Sequence, residues 1–134
     1  PEVNLFNEKN NGESLLNLID KNFIKSAHDI SLGGILTAIS KMCIKGNKGI
    51  KLKKSKNLIN EIEYFFSEDQ GRYIIEISPK DLKEVTKILD KNSVHHEEIG
   101  VIIDKELIIN EKTKVTIDEL KSYNTNWLTN YMSK

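Results

Sequence analysis

The feature that most constrains the fold is the junction SAHDISLGGILTAISKMCIKG at residues 26–46. The segment FIKSAHDI reads as a brief strand ending in His28-Asp29, and Ser31 and two glycines separate it from an apolar helical pattern. From Gly33 to about Ile44 that pattern places Ile35, Leu36, Ile39, Met42 and Cys43 at helical spacing, and Gly46 follows as a stop. A strand delivered almost directly into a helix calls for an architecture in which helices pack on a sheet.

The remaining elements agree with that demand. Glu13 to Asn22 carries Leu15, Leu16, Leu18 and Ile19, which predicts a short helix after the breaker NNG. GIKLKK alternates like an edge strand whose lysines discourage further pairing. NLINEIEYFF suits a helix with an aromatic end that could also be extended, and RYIIEI is a strand with Tyr73, Ile75 and Ile77 on one face and Ile74 on the other. Pro79, after Ser78, starts a helix that turns Leu82, Val85, Ile88 and Leu89 inward. EEIGVIID and ELIIN predict a β-hairpin across Asp104 and Lys105, and KVTID leads into ELKSY. The expected fold class is α/β (α+β), a mixed β-sheet with packed helices. Its length of 134 residues suits a single domain spanning 1–134.

Composition excludes several function classes. Twenty Lys and Arg balance twenty Asp and Glu, so no net field steers nucleic acid or an anionic membrane toward the chain. The lone cysteine, Cys43, excludes an internal disulfide and a cysteine-based metal cluster and fits a reducing compartment, so cytoplasm is expected. No run approaches the apolar length of a membrane span, and PEVNLFNEKNNG has neither a basic nor an apolar leader segment.

Two stretches could carry chemistry. At the first, Ser31 is a good N-cap, and glycines in the first turn leave the free N–H groups of Gly33 and Gly34 open to a phosphate at the positive end of the helix dipole. Asp29 could hold a hydroxyl or a metal-bound water, and a neutral His28 could bond or exchange a proton. The alternative is that Asp29 or Ser31 merely caps the helix and the glycines permit close packing. At the second, the loop Glu68-Asp69-Gln70-Gly71-Arg72 opens into a strand, and Arg72 could clamp a phosphate with both prongs of its guanidinium. The alternative there is a solvated turn with Arg72 paired to Glu68 or Asp69. His95 and His96 are adjacent and cannot easily chelate one metal together on a strand, Cys43 lies on an apolar helix face, and KLKKSK reads as a solvated edge. Trp127 and Tyr131 are expected to pin the tail to the body by apolar burial.

Taken together, SAHDISLGGILTAISKMCIKGNKGI and FFSEDQGRYIIEI, with the lead-in PEVNLFNEKNNG and the closing IDELKSYNTNWLTNYM, resemble the C-terminal domain of phosphoribosylformylglycinamidine synthase subunit II, of the AIR synthase-related family, over nearly the whole chain. The resemblance implies a fold like the C-terminal domain of aminoimidazole ribonucleotide synthetase. It also implies part of an ATP-dependent C–N ligase of purine biosynthesis. That enzyme converts formylglycinamide ribonucleotide and glutamine-derived ammonia to formylglycinamidine ribonucleotide, with ATP and Mg2+ serving the complete protein. The implied partners are the other domains of the same polypeptide, a glutaminase subunit and a small PurS-type subunit, and the isolated piece is expected to be inactive. Carried over by residue, the binding positions are His28, Asp29, Ser31, Gly33 and Gly34 at the helix entrance, and Glu68, Gln70, Gly71 and Arg72 in the second loop. Leu32 departs from the family pattern, which usually has an acidic residue before the glycine pair. The alternative is a structural module that supports the catalytic domains and docks partner subunits.

Overall fold

The computed structural model describes residues 3–53 and 60–133. In chain order the elements are α1 (Leu5–Asp20), β1 (Ile24–Asp29), α2 (Gly34–Gly46), β2 (Gly49–Leu52), α3 (Glu61–Phe66) and β3 (Tyr73–Ile77). A 3-10 turn, Pro79–Asp81, then leads into α4 (Leu82–Lys91), followed by β4 (Gly100–Ile103), β5 (Glu106–Ile109), β6 (Thr113–Thr116) and α5 (Ile117–Met132). The strands form a two-stranded sheet, β1-β3, and a four-stranded mixed sheet in the order β4-β2-β5-β6, so the expected mixed α and β class is what the chain adopts. The end of KLKKSK and the start of NLINEIEYFF fall outside the described residues.

Contacts divide the chain into two compact units, Pro1–Ala38 with Asn60–Glu97, and Ile39–Ile59 with Glu98–Lys134. The boundary falls inside α2. In the first unit, β1 and β3 run antiparallel with Asp29 opposite Tyr73 and Ala27 opposite Ile75. Leu18 of α1 and Val85 and Leu89 of α4 form a buried cluster against Ile24, Ile75 and Ile77, which explains why Val85 and Leu89 recur at helical spacing. Leu82, expected inward, sits at the exposed rim.

The first helix begins earlier than its sequence suggests. Asn4 caps it by accepting from the amide of Asn7, and α1 runs straight through NNG. Asn10 Nδ2 donates to the carbonyl of Asn92 at 2.7 Å and Asn11 Nδ2 to that of Gly71 at 2.9 Å. These tertiary bonds outweigh the weak helix propensity of asparagine and glycine, which costs only about 1 kcal/mol per residue.

In the second unit, GIKLKK is not an edge strand. β2 is central, antiparallel to β4 and parallel to β5, with Ile50 and Leu52 buried. Lys51 projects from its opposite face and pairs with Glu111 at 3.3 Å, so its charge is satisfied on the solvent side without blocking either edge. The expected hairpin across Asp104 and Lys105 is likewise absent, because β2 lies between β4 and β5. The connection crosses the first residue of β2: Gly49 N donates to the carbonyl of Asp104 at 3.0 Å, and a Cβ on Gly49 would fall on the backbone of Glu106. Without a side chain at Gly49 the two flanking strands can straddle β2. α5 starts with a capping box in which Thr116 accepts from Glu119 N and Glu119 accepts from Thr116 N.

Candidate functional site

Antiparallel pairing of β1 with β3 brings the two candidate stretches together within the first unit. The end of β1 lies beside the start of β3, and Ile30 N donates to the carbonyl of Arg72 at 2.9 Å. The loop after β1 and the loop before β3 therefore share one end of the sheet. They are tied directly, since the amide of Gly33 donates to Glu68 Oε1 at 2.7 Å.

The glycine pair is required by two separate constraints. Gly33 and Gly34 have φ of +82° and +68°, in the left-handed region that side chains disfavour. A Cβ on Gly34 would also sit 2.6 Å from the carbonyl oxygen of Phe65, so α2 begins pressed against the end of α3. Ser31 does not cap the helix with its side chain as expected. α2 starts at Gly34, Ser31 contributes its carbonyl to Gly34 N at 3.0 Å, and the acceptor at the helix entrance comes from Glu68 across the chain. The positive φ angles move the turn forward, which takes Ser31 out of the cap position.

Arg72 folds back on its own loop. Nη2 donates to the carbonyl of Ser67 at 2.7 Å and to Ser67 Oγ at 3.0 Å, Nε donates to the carbonyl of Asp69 at 3.2 Å, and the Asp69 carboxylate lies 3.6 Å away. The loop alternative, pairing with Asp69, is thus present in the free chain, and the guanidinium organises the turn that delivers Glu68 to Gly33. Gly71 contributes its carbonyl to Asn11 of α1. Gln70 is exposed. His28 Nδ1 donates to the carbonyl of Asp29 at 2.6 Å, and the Asp29 carboxylate is exposed beside it. Leu32 is exposed at the tip of the connecting turn.

Several contributors carry no sequence signal of their own. Ser67 becomes important only through its bond to Arg72, and Asn11 reads as a helix breaker until Gly71 is placed beside it. Tyr64 of α3 donates to Glu97 at 2.5 Å, and burial together with that bond pushes its phenol well above the ordinary range, partly offset by Arg72. It is a structural hydrogen-bond donor at neutral pH. Cys43 is buried, and desolvation pushes its thiol up to about 11, as suits a core residue. His95 and His96 lie outside any strand. His96 Nδ1 donates to the carbonyl of Val94, and its Nε2 faces Asp90 at 3.9 Å in an open hollow. Among the described residues no group of three His, Cys, Asp or Glu is placed to hold a metal ion.

The sequence model of one family, described as AIR synthase related protein, C-terminal domain, matches residues 1–110. The phosphoribosylformylglycinamidine synthase subunit PurL of Pelagibacter ubique is 68% identical over 98% of this chain, and that of Bartonella henselae is 36% identical over all of it. The chain spans 18% of the length of each of these relatives. Among solved structures, PurLQS from Thermotoga maritima covers 90% of this chain and 22% of its own with a TM-score of 0.77 at 21% identity. T. maritima PurL complexed with FGAR covers 88% of this chain and 21% of its own with a TM-score of 0.75 at 22% identity. At these identities the structures show a shared fold.

Proposed function

Since this chain belongs to the AIR synthase related protein, C-terminal domain family, we propose that it is the C-terminal domain of a longer phosphoribosylformylglycinamidine synthase. The observation that carries this reading is the 68% identity to a PurL subunit across 98% of the chain. The reaction of such an enzyme transfers the γ-phosphoryl group of ATP to the amide oxygen of formylglycinamide ribonucleotide. Ammonia then forms the new C–N bond at that carbon and phosphate leaves with the oxygen, giving the amidine, ADP and phosphate.

The domain's contribution is to hold an anionic group. The Gly33 amide and Arg72, with Asp29 beside them to accept from a hydroxyl and Gly34 at the helix entrance, form part of a nucleotide or sugar-phosphate cleft that neighbouring domains complete. What supports this is their placement at one end of the β1-β3 sheet. In the free domain Glu68 holds the Gly33 amide; a bound phosphate takes that amide and displaces the carboxylate. His28, Ser31, Gln70 and Gly71 shape the two loops around it. Leu32 supplies no carboxylate at the turn, so a metal or ribose hydroxyl there must be held from elsewhere. Glutaminase and PurS-type subunits are the proposed partners and cytoplasm the proposed compartment; no helix among the described residues is long and apolar enough to cross a membrane.

The test uses the full-length enzyme with Asp29→Ala and Arg72→Ala, measuring turnover and the binding of substrate and ADP. Both variants are expected to weaken binding or turnover several-fold. Unchanged affinity and unchanged turnover in both would remove these residues from the site.

A further inference from the structure

We propose that α5 docks this domain onto an apolar groove of another domain in the same long polypeptide, through Trp127, Leu128, Tyr131 and Met132. The inference rests on the reading of the chain as one domain of a larger protein.

The helix has two distinct parts. Its first turn is anchored, with Ile117 fully buried and Leu120 and Lys121 half-buried, whereas every described residue from Ser122 onward is exposed. At 100° per residue Leu128 and Tyr131 lie within about 40° of the direction of Ile117, flanked by Trp127 and Met132. Beyond Asn124, which lies in the same direction, the side that Ile117 turns into the core is taken up again over residues 127–132 by an apolar stripe that is exposed among the described residues. Trp127 is 61% exposed and Tyr131 70%, which overturns the expectation that they pin the tail by burial. Ser122, Asn126, Thr129 and Asn130 occupy the opposite side together with Tyr123, so the last two turns of the overhang are amphipathic.

Three observations select the occupant. The overhang from Ser122 to Ser133 has no charged residue, so it lacks the lysines and arginines with which surface helices engage anionic membranes. A helix face roughly 18 Å long and about 10 Å wide is well short of the ~800 Å² per partner that stable complexes between separate molecules bury, which disfavours a second copy. A covalently linked neighbour avoids most of that association cost. Such a neighbour is expected because the chain spans 18% of its relatives' length, and the family match ends at residue 110, before α5 begins. The overhang also approaches the ~12–15 residues below which a helix is marginal on its own in water, so its persistence calls for a partner surface. The Tyr131 hydroxyl and the Trp127 indole N–H on the stripe call for hydrogen-bond acceptors along that groove.

The experiment is oxidative footprinting of the wild-type full-length polypeptide, reading Trp127, Tyr131 and Met132 by mass spectrometry against the same polypeptide unfolded in urea, with ligase activity assayed on the same sample. Docking predicts labelling of all three several-fold slower in the folded polypeptide and independent of protein concentration. Labelling as fast as in urea overturns the proposal, and protection that disappears on dilution overturns it in favour of a second copy. An inactive sample that still shows concentration-independent protection refutes the ligase reading while upholding the docking helix. Trp127→Glu in the same polypeptide is expected to restore fast labelling at Met132, and continued protection of Met132 would count against the stripe.

Discussion

The Gly33 amide and the Glu68 carboxylate, 35 residues apart in the chain, meet at 2.7 Å and join the helix entrance to the loop before β3. This one bond satisfies a donor at the positive end of α2 with an internal negative charge. It also means that the proposed anion site is occupied by the protein's own carboxylate until a ligand arrives.

Removing that carboxylate separates its two roles. Glu68→Ala is expected to destabilise the chain by about 1 kcal/mol, the usual cost of losing a cap. In the full-length enzyme the same change is expected to tighten binding of inorganic phosphate, because no internal group competes for the amide. A urea titration and a phosphate titration read the two effects independently; weaker phosphate binding would show that Glu68 supports the ligand instead of yielding to it.

Arg72 is expected not to be replaceable by lysine. Its Nε and Nη2 together hold Asp69 and Ser67, and an ammonium cannot reproduce that fork. Arg72→Lys should therefore lose most of what Arg72→Ala loses, about 1–2 kcal/mol of stability from the disrupted hydrogen bonds. Equal stability of the lysine variant and wild type in urea unfolding would reduce Arg72 to a simple point charge.

The glycine pair makes the sharpest stability prediction. Gly34→Ala must place a Cβ 2.6 Å from the Phe65 carbonyl at a φ of +68°. The left-handed backbone and the overpacking together are expected to cost about 2–4 kcal/mol. Gly46→Ala, at a position with open space around it, should cost far less, and comparison of the two melting curves checks the assignment.

Legibility in the sequence followed the range of the interactions. The strand-to-helix junction and the α4 face are set by neighbours a few residues away, and periodicity finds them. The extension of α1 through NNG depends on carbonyls of Asn92 and Gly71, far along the chain. The insertion of β2 between β4 and β5 depends on Gly49 being crossed by the backbone of Glu106. Neither leaves a local pattern. The two candidate stretches stood out as motifs, whereas the approach of Glu68 to Gly33 is a product of the β1-β3 register and the turn of Arg72 onto Ser67 is a product of the loop's own fold. The aromatic end of α5 misled because its spacing shows that a face wants covering without showing by which part of the protein.

Acid should loosen α5 at its start before it affects the buried cores. Backbone and side-chain hydrogen bonds from Thr116 hold the Glu119 carboxyl below its ordinary value of 4.5. A carboxyl whose pKa is lowered by folding contributes stability that is fully present above the unfolded value and is lost as pH falls through the lower folded one. The capping contribution is therefore constant at neutral pH and disappears only below about pH 4.5, as Glu119 takes up a proton and stops accepting from Thr116. Glu119→Gln can still accept through its amide oxygen but cannot titrate, so it is expected to flatten the acid dependence of helix content in α5, followed by amide exchange of residues 117–121. An acid dependence identical to wild type in that variant would assign the loosening to a group other than Glu119.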